Sequence, residues 1–331
     1  MKIYFAPLEG ITGYVFRNAY EKYYGGIDKY FTPFISPHTK KLMDSREKRD
    51  ILPENNKGLY IVPQVLTNKA EDLIDLCKQL HDDYGYKEVN LNLGCPSKTV
   101  TTKGKGSGFL EYPDRMEEFF DRFFKVSDVK LSIKTRIGYW EMEEAERLFH
   151  LYERFPFEEV IIHPRLGCEM YKGTPHYDVF ESYLGRTKHS LCYNGDINSI
   201  ADLQSLDTKW EKCDKFMLGR GLIARPHMLY VQGIHGQEQE EKNEKNFSVQ
   251  NADKQSNLLT QQEWQRFKMF HDELVEGYYA YMCEDRNTLF KMKELWTWWA
   301  VMFPEKKKIL KKIKKASDLK EYEMLVNSLQ E

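Results

Sequence analysis

The feature that most constrains the fold is an alternation of strand-like and helix-like segments, repeated eight times before residue 236. Helical segments are predicted at 68–84, 113–126, 141–155 and 199–206, where apolar residues recur every three or four positions. Eight segments are predicted to be strands: Ile3–Leu8, Lys29–Ser36, Leu59–Leu66, Glu88–Cys95, Leu131–Gly138, Glu159–Arg165, Ser190–Ile197 and Lys215–Leu222. This alternation predicts an α/β fold of the (β/α)8 TIM barrel type.

A doubly wound parallel sheet is the competing α/β fold. It would place a glycine-rich dinucleotide-binding turn directly after the first strand, where this chain has Pro7-Leu8-Glu9-Gly10. The segment 97–108 is rich in glycine and lysine, but it does not match the G-x-G-x-x-G pattern. We interpret it as a mobile cationic flap or, alternatively, as a solvated loop.

The composition changes after the predicted barrel domain at 1–235. Residues 236–257 are polar and rich in Gln, Asn, Glu and Lys, which is typical of a linker or an exposed loop. Residues 258–331 are aromatic, charged and helical in period, and we expect a small all-helical C-terminal domain there. Its tryptophans at 296, 298 and 299 are interpreted as core rather than as a stacking surface.

Charge and cysteine content exclude several classes of protein. The chain has 49 Lys and Arg against 51 Asp and Glu, so a basic surface for nucleic acid must be local. Its six cysteines include no C-x-x-C pair, so neither a disulfide framework nor a metal site is expected. The apolar runs are far shorter than the ~20 residues that cross a bilayer. We expect a cytoplasmic, monomeric protein without a membrane contact.

The ends of the predicted strands mark a candidate active face, because the C-terminal strand ends of a barrel form its active site. Each residue alone has an ordinary structural explanation, so the prediction rests on their conjunction. Seven of the eight strands contribute: Pro7 and Leu8; Gln64; Asn92 and Cys95; Lys134 and Arg136; His163 and Arg165; Asn194, Gly195 and Asp196; Gly219, Arg220 and Gly221.

Glycines at the ends of the last two strands indicate a phosphate site. The backbone at Gly195, Gly219 and Gly221 can approach a phosphate closely, and Arg220 adds positive charge. The same glycines could instead simply turn strand into helix.

Three polar side chains indicate that a ligand with such a phosphate also has an electron-rich ring. Lys134 supplies a cation that can stabilise an electron-rich ring in its reduced form, and Gln64 and Asn92 can hydrogen-bond a pyrimidine-like edge. Phosphate and ring contacts together describe FMN. A sugar phosphate stays open as an alternative on these residues alone.

Cys95 stands at the end of the stretch Asn90-Leu91-Asn92-Leu93-Gly94-Cys95-Pro96. It could be a small buried apolar residue, a nucleophile with a lowered pKa, or a proton donor. The last role requires only an ordinary thiol pKa of about 8.5, which leaves the group protonated at neutral pH.

In these motifs the chain resembles the tRNA-dihydrouridine synthase family. The N-x-G-C-P-x-K motif at 92–98 is the most specific. Pro164 and Leu8 depart from the family pattern, which usually has Gly and Met there. The matching stretches, in family order, are Ala6–Thr12, Asn90–Lys98, Lys134–Arg136, His163–Arg165, Met170–Gly173, Asn194–Ile197 and Gly219–Gly221.

The resemblance implies an FMN-containing barrel followed by a helical domain that grips tRNA. It implies reduction of the C5–C6 double bond of a tRNA uridine, with hydride from flavin N5 to C6, a proton from Cys95 to C5, and NADPH as the reductant of the flavin. Asn92 and Tyr171 would contact the uridine or its neighbours, and Lys291 and Lys293 would contact tRNA. The residues implied to line FMN are Pro7, Leu8, Gln64, Lys134, His163, Asn194, Gly195, Asp196, Gly219 and Arg220.

The segment 306–315 bears on the choice between functions. Its seven lysines surround an apolar stripe, which indicates either a solvated helix face or a phosphate-binding surface. An FMN-dependent reductase of a free small molecule has no need of such a surface, and it is the first alternative function. A non-catalytic RNA-binding protein that lacks flavin is the second.

Overall fold

The computed structural model describes residues 1–38, 41–230 and 259–330. Within these ranges the chain forms two compact units: residues 1–14 with 27–219, and residues 15–26 with the described part of 220–331. The predicted linker 236–257 lies outside the described residues. The predicted domain limits at 235 and 258 also fall there, so they stay a prediction.

The first unit is a parallel barrel. Its strands in the described ranges are β1 (Lys2–Phe5), β2 (Lys29–Phe31), β3 (Ile61–Val62), β4 (Gln64–Val65), β5 (Glu88–Leu93), β6 (Lys130–Arg136), β7 (Val160–His163), β8 (Leu191–Asn194) and β9 (Lys215–Leu218). They neighbour one another in the order β3-β2-β1-β9-β8-β7-β6-β5-β4. The two strands at the ends of this order are joined by Pro63 alone, so the sheet closes on itself.

Pro63 explains why the third predicted strand is observed as two pieces. Proline has no N–H for the ladder, which interrupts the strand between Val62 and Gln64. Its carbonyl still accepts the N–H of Asn90 at 2.9 Å, so the pairing continues across the break. The nine segments therefore occupy eight strand positions. The predicted TIM barrel is confirmed, and the doubly wound sheet is excluded because the two end segments of this sheet are consecutive in the chain, which brings the sheet round into a nearly closed barrel.

Helices alternate with the strands as the sequence predicts. In chain order they are α1 (Tyr14–Tyr23), α2 (Ser45–Ile51), α3 (Ala70–Tyr84), α4 (Lys98–Thr101), α5 (Pro113–Phe124), α6 (Glu144–Tyr152), α7 (Tyr177–Leu184), α8 (Ile200–Lys209) and α9 (Arg220–Ala224). Helix α3 ends where Gly85 adopts a left-handed conformation with φ +77°. Helix α5 begins at Pro113, a residue that fits the first turn because its missing N–H would have no helical partner.

Side chains of each strand alternate between the barrel interior and the surrounding helices. One apolar cluster contains residues from six strands or strand ends, and side chains from so many strands can meet only inside the barrel. Its members are Tyr4, Ala6, Phe31, Val62, Ile161, Cys192 and Met217, and Leu8 packs against it. Polar interior positions lie further along the strands. Asn92 is the register partner of Lys134, and Arg136 is the register partner of His163. These four residues lie near the C-terminal ends of their strands, and so at the active face of the barrel.

An ionic layer closes the opposite, N-terminal end of the barrel interior. Lys29 Nζ lies 3.0 Å from Glu88 and 3.6 Å from Glu159, and Lys215 Nζ lies 3.3 Å from Glu159. Tyr4 donates its hydroxyl to Glu159 at 3.0 Å. Burial alone would lower the pKa of Lys29, but the two carboxylates outweigh it and raise that pKa above its ordinary value. Each buried charge therefore has an opposite partner.

The second unit is helical. Besides α9 and all but the first residue of α1, it contains α10 (Gln261–Met282), α11 (Asp285–Trp299), α12 (Lys307–Lys315) and α13 (Leu319–Asn327). Trp296 and Trp299 are fully buried in its core, which confirms the core interpretation of these two residues. In the ranges that the structure describes, no helix has the length and apolar character to cross a membrane.

Candidate active site

Cys95 follows β5 at the C-terminal end of the barrel, in a segment fixed by backbone hydrogen bonds. Its N–H donates to Oδ1 of Asn92 at 2.9 Å. Its carbonyl accepts from the N–H of Ser107 at 3.0 Å and from the Ser107 hydroxyl at 3.1 Å. The thiol is partly exposed. The backbone of Cys95 is thus held from both sides, and its side chain remains accessible.

A chain of buried amides connects the barrel interior to Cys95. Asn92 Nδ2 donates to Gln64 Oε1 at 2.8 Å, Gln64 Nε2 donates to Asn90 Oδ1 at 2.8 Å, and Asn90 Nδ2 donates to Ser132 at 3.0 Å. These bonds fix the orientation of every amide in the series. Gln64 and Asn92, predicted as ring- and uridine-contacting residues, are therefore also the supports of the cysteine segment.

The environment of Cys95 determines its protonation. Burial raises the pKa of the thiol above its ordinary value, and this outweighs the opposing effects of the Ser97 backbone, Arg136 and Lys134. A nucleophilic cysteine needs a lowered pKa. A raised pKa leaves Cys95 protonated at neutral pH and suits it to donate a proton.

Lys134 lies beside Asn92 on the neighbouring strand β6. It makes no hydrogen bond or ion pair within the described parts of the chain. Burial and the neighbouring Arg136 guanidinium lower the pKa of the Lys134 ammonium to about 8. A half-buried cation without a counter-charge among the described residues is costly, so this position is suited to an anionic or electron-rich ligand.

Arg136 was predicted to lie at the active face, but it is not among the residues implied to line FMN or to contact tRNA, and in the structure it supports the site. Its Nε donates to the carbonyl of Gly94 at 2.9 Å, and its Nη1 donates to the carbonyl of Leu166 at 2.7 Å. Its guanidinium carbon lies 5.4 Å from the ring centre of Tyr171. Burial lowers the pKa of Arg136 to about 10. Arg136 therefore joins the cysteine segment to the loop that carries Tyr171.

Arg165, two residues after the end of β7, has the corresponding role in the next loop. It donates to His163 Nε2 at 2.9 Å and to Asp196 Oδ1 at 3.1 Å, and it also donates to the carbonyl of Lys172 at 3.2 Å. Asp196 has a positive φ of 44°, which is uncommon for a residue with a side chain. Two predicted ligand-lining residues, His163 and Asp196, are thus held by one buried arginine.

Spacing predicted that Arg136 and Arg165 lie at the active face, but it did not predict their supporting role. Each stands two positions after a predicted site residue, Lys134 or His163, and residues two apart on a strand face the same way. Both arginines belong to the motif stretches, but their support of neighbouring loops depends on contacts between strands, which spacing does not give.

The remaining barrel residues of the predicted set lie at the ends of β1, β8 and β9. Leu8 is half-buried against the apolar interior and follows Pro7. Asn194 donates to the carbonyl of Met217 at 2.8 Å. At Gly195, with φ +151°, a Cβ would lie 3.1 Å from the Tyr193 hydroxyl oxygen. A Cβ on Gly219 would lie 3.2 Å from the Cβ of Ala6. Both glycines permit close packing of backbone at the active face.

The segment 97–108 is more ordered than the flap that we predicted. It contains α4 and a 3-10 turn at Gly106–Phe109, and Ser107 binds the Cys95 carbonyl through two hydrogen bonds. Gly106 has φ +57°, and a Cβ there would lie 2.7 Å from the carbonyl oxygen of Cys95. Gly106 therefore permits close packing against the cysteine. No group of His, Cys, Asp and Glu suited to a metal ion occurs in the described part of the chain.

Comparison with known proteins identifies the family. The family model described as dihydrouridine synthase (Dus) matches residues 4–331, which is almost the whole chain. The chain belongs to the dihydrouridine synthase family. The relationship predicted from its motifs is confirmed.

Curated relatives carry related names. Over 236 residues, 28% are identical to tRNA-dihydrouridine synthase B of Vibrio vulnificus, covering 71% of each protein. The similarly named protein of Pasteurella multocida is 25% identical over 232 residues, with 70% of this chain and 68% of the relative covered. A probable tRNA-dihydrouridine synthase of Staphylococcus aureus is 28% identical over 231 residues, with 67% and 68% covered.

Solved structures share the fold. A morphinone reductase variant in complex with tetrahydroNAD superposes with a TM-score of 0.50 at 12% identity, covering 71% of this chain and 87% of that one. Histamine dehydrogenase from Rhizobium sp. 4-9 gives a TM-score of 0.52 at 12% identity, covering 70% and 46%. At these identities the likeness shows the barrel fold alone.

Three predicted residues lie in the second unit, as part of its helices. Lys291 pairs with Glu294 at 2.7 Å. Lys293 donates to the carbonyl of Ala316 at the C-terminal end of α12, where a cation is favourable. Both predicted tRNA contacts therefore have partners within the protein. Arg220 is the first residue of α9.

Proposed function

We propose that this member of the dihydrouridine synthase family reduces a specific uridine in tRNA to 5,6-dihydrouridine, with Cys95 as the proton donor, FMN as the bound cofactor and NADPH as its reductant. The observation that carries the proposal is that a thiol and an ammonium group both lie at the C-terminal end of the barrel. Cys95 is a thiol with a raised pKa, and Lys134 is a cation that has no counter-charge among the residues the structure describes.

The donor set fits FMN. Lys134 offers to an electron-rich ring an ammonium of lowered pKa that has no ion-pair partner in the described ranges. Gly195 and Gly219 let backbone approach closely at the ends of β8 and β9, where this fold commonly holds phosphate. The other residues proposed to line the cofactor are Pro7, Leu8, Gln64, His163, Asn194, Asp196 and Arg220. When bound and reduced, FMN supplies the hydride that C6 of the uracil ring receives.

The protein itself supplies the proton. Cys95 Sγ donates to C5 of uracil, and the thiolate that results is reprotonated from water. Lys134 and Arg136 stabilise this transient thiolate, since both lower the pKa of Cys95. Asn92 holds the segment in place through the N–H of Cys95. Asn92 and Tyr171 are proposed to contact the uridine or its neighbours.

A tRNA substrate is supported by the names of the curated relatives. A uridine stacked in folded RNA cannot reach a group inside a barrel, so it must be extruded first. The helical unit offers exposed positive charge for an RNA phosphate backbone on α12. Lys291 and Lys293 stay in the proposal as tRNA contacts, for which they would have to leave their present partners.

The deciding experiment compares two cysteine variants. Cys95→Ala is expected to bind FMN with the wild-type absorption spectrum and to form no dihydrouridine on unmodified tRNA. Cys283→Ala removes an exposed cysteine of the helical unit and should retain full activity. Mass spectrometry of the tRNA measures the product. Normal turnover by Cys95→Ala would overturn the proton-donor role, and a purified wild-type protein without flavin absorbance would favour a non-catalytic RNA-binding function.

A further inference from the structure

Trp140 exposes its indole on the active face of the barrel. It lies in the loop between β6 and α6, four residues after Arg136, and 59% of its surface is accessible. The next loop, between β7 and α7, exposes Met170 and Tyr171. Exposed aromatic side chains grouped at one place on a soluble protein often mark a binding surface.

The indole is held in a fixed orientation despite its exposure. Its Nε1 donates to Glu111 Oε2 at 2.7 Å, and its backbone N–H donates to Glu144 at 3.2 Å. The Trp140 ring meets the ring of Tyr139 edge to face, with centroids 4.8 Å apart. Its polar groups are satisfied, and its rotamer is constrained before any ligand arrives. Binding a flat ligand would therefore cost little conformational entropy.

The loop of Trp140 is also tied to the loop that carries Tyr171. Gly167 N–H donates to the carbonyl of Gly138 at 2.9 Å, and Cys168 N–H donates to the carbonyl of Tyr139 at 3.0 Å. Gly167 is needed for this contact, because a Cβ there would lie 2.4 Å from the Tyr139 ring. The loop of Trp140 is thus bonded to the loop that carries Tyr171, and Arg136 bonds that second loop to the cysteine segment.

The charge around Trp140 indicates what kind of ligand fits. The carboxylates of Glu111 and Glu144 bind its two N–H groups, and Glu141 and Glu143 are exposed beside it. Four carboxylates disfavour a phosphate. They leave the neutral π face of a nucleobase as the part of an RNA that can pack here, since every base offers such a face.

We propose that Trp140 stacks on an unpaired nucleobase next to the uridine that enters the barrel. This inference rests on the proposed function. Extruding one base from RNA removes a stacking partner from its neighbours. An aromatic ring at the rim of the barrel can replace that partner and so stabilise the extruded arrangement.

The test measures binding of unmodified tRNA to full-length, FMN-loaded protein at several salt concentrations. Trp140→Ala is expected to weaken affinity by about 5- to 150-fold, the usual range for loss of one base–aromatic stack. The slope of log affinity against log salt should not change, because no phosphate contact is lost. Trp140→Phe keeps a ring and should recover most of the affinity.

Tyr60→Ala is the matched control. Tyr60 is also 59% exposed, but it precedes β3 and so lies at the opposite end of the barrel. It should bind tRNA as the wild type does. Wild-type affinity in Trp140→Ala, an equal loss in Tyr60→Ala, or a smaller salt slope in Trp140→Ala would each overturn the inference. Any of these, with dihydrouridine still formed by the wild type, would leave the proposed function intact.

Discussion

The side-chain oxygen of Asn92 accepts the N–H of Cys95 at 2.9 Å and that of Gly94 at 3.1 Å. Asn92 faces the barrel interior, where Gln64 fixes its amide. A rigid strand thus determines where the backbone of the reactive cysteine lies. The precision of the site comes from the strand rather than from the loop, as catalytic geometry requires.

The first prediction concerns this contact. Asn92→Asp keeps the accepting oxygen, but it adds a negative charge near Cys95, which should raise the pKa of the thiol further. We expect alkylation of Cys95 by iodoacetamide to require higher pH than in the wild type. Peptide mass spectrometry can follow the reaction, with alkylation of the exposed Cys283 as the internal control. An unchanged pH profile at Cys95 would show that Asn92 does not control the thiol.

The second prediction concerns Lys134 and pH. Its pKa is lowered to about 8, and a bound electron-rich ring favours the charged form. FMN affinity should therefore be full below pH 8 and should fall as the pH rises through that value. Lys134→Arg keeps its charge in this range, so its affinity should be independent of pH there. Lys134→Met should bind weakly at every pH. Fluorescence titration with FMN measures all three proteins.

The fold was predictable because its signal is periodic and local. Eight strand–helix units can be read from apolar spacing, and the strand ends then identify the active face. The break at Pro63 was less evident, because its neighbours on both sides remain in register with adjacent strands.

Part of the site depends on distant contacts and could not be predicted. The segment 97–108 has the composition of a flap, but it is folded through bonds from Ser107 to Cys95. Lys291 matches the position of a tRNA contact, while Glu294 one turn later supplies it with a partner. Residue type alone led to the functional interpretation of the segment 97–108 and of Lys291. The residues that they contact depend on tertiary packing, which the sequence pattern does not show.

The third prediction concerns the ionic layer at the N-terminal end of the barrel. Glu159→Gln leaves Lys215 buried without its carboxylate and leaves Lys29 with Glu88 alone. Breaking a buried pair commonly costs 3–5 kcal/mol. We expect a loss of about 3 kcal/mol in the free energy of unfolding, because Lys29 keeps one partner.

The adjacent Glu158 provides a control for this measurement. It pairs with Lys130 at 2.9 Å, but both side chains are exposed. Exposed pairs contribute about 0–1 kcal/mol, so Glu158→Gln should change stability by less than 1 kcal/mol. Urea unfolding compares the two variants. Equal losses would show that burial does not set the strength of the Glu159 contacts.

The fourth prediction concerns acid stability of the helical unit. His271 is fully buried, its Nε2 lies 2.6 Å from the Tyr322 hydroxyl, and Trp296 donates to that same hydroxyl at 2.7 Å. Burial lowers the pKa of His271 below its ordinary value of 6.5. The unfolded chain therefore takes up a proton first as pH falls, so stability should be full above pH 6.5 and should decline below it.

Unfolding between pH 5 and 8 tests this relation. His227 also has a lowered pKa and acts in the same direction. His271→Phe should flatten part of the decline, although it removes a hydrogen bond, and His227→Gln should flatten the remainder. A wild-type profile that does not change below pH 6.5 would contradict the prediction.

The last prediction separates two groups of lysines in the helical unit. Lys291 and Lys293 have partners within the unit. By contrast, α12 buries only Leu310 and Ile313 and exposes six lysines that form no ion pair in the described ranges: Lys307, Lys308, Lys311, Lys312, Lys314 and Lys315. An exposed cation is available to a phosphate without first losing a partner, so α12 should carry more of the RNA affinity.

Salt dependence measures this difference directly. Each phosphate contact contributes about 0.7 to 0.9 to the slope of log affinity against log salt. Replacing Lys308, Lys311 and Lys315 with glutamine should therefore reduce the slope for tRNA by about 2. The double variant Lys291→Gln, Lys293→Gln should reduce it by less than about 1. The opposite order would mean that the two paired lysines exchange their protein partners for phosphate and that the exposed face of α12 stays in solvent.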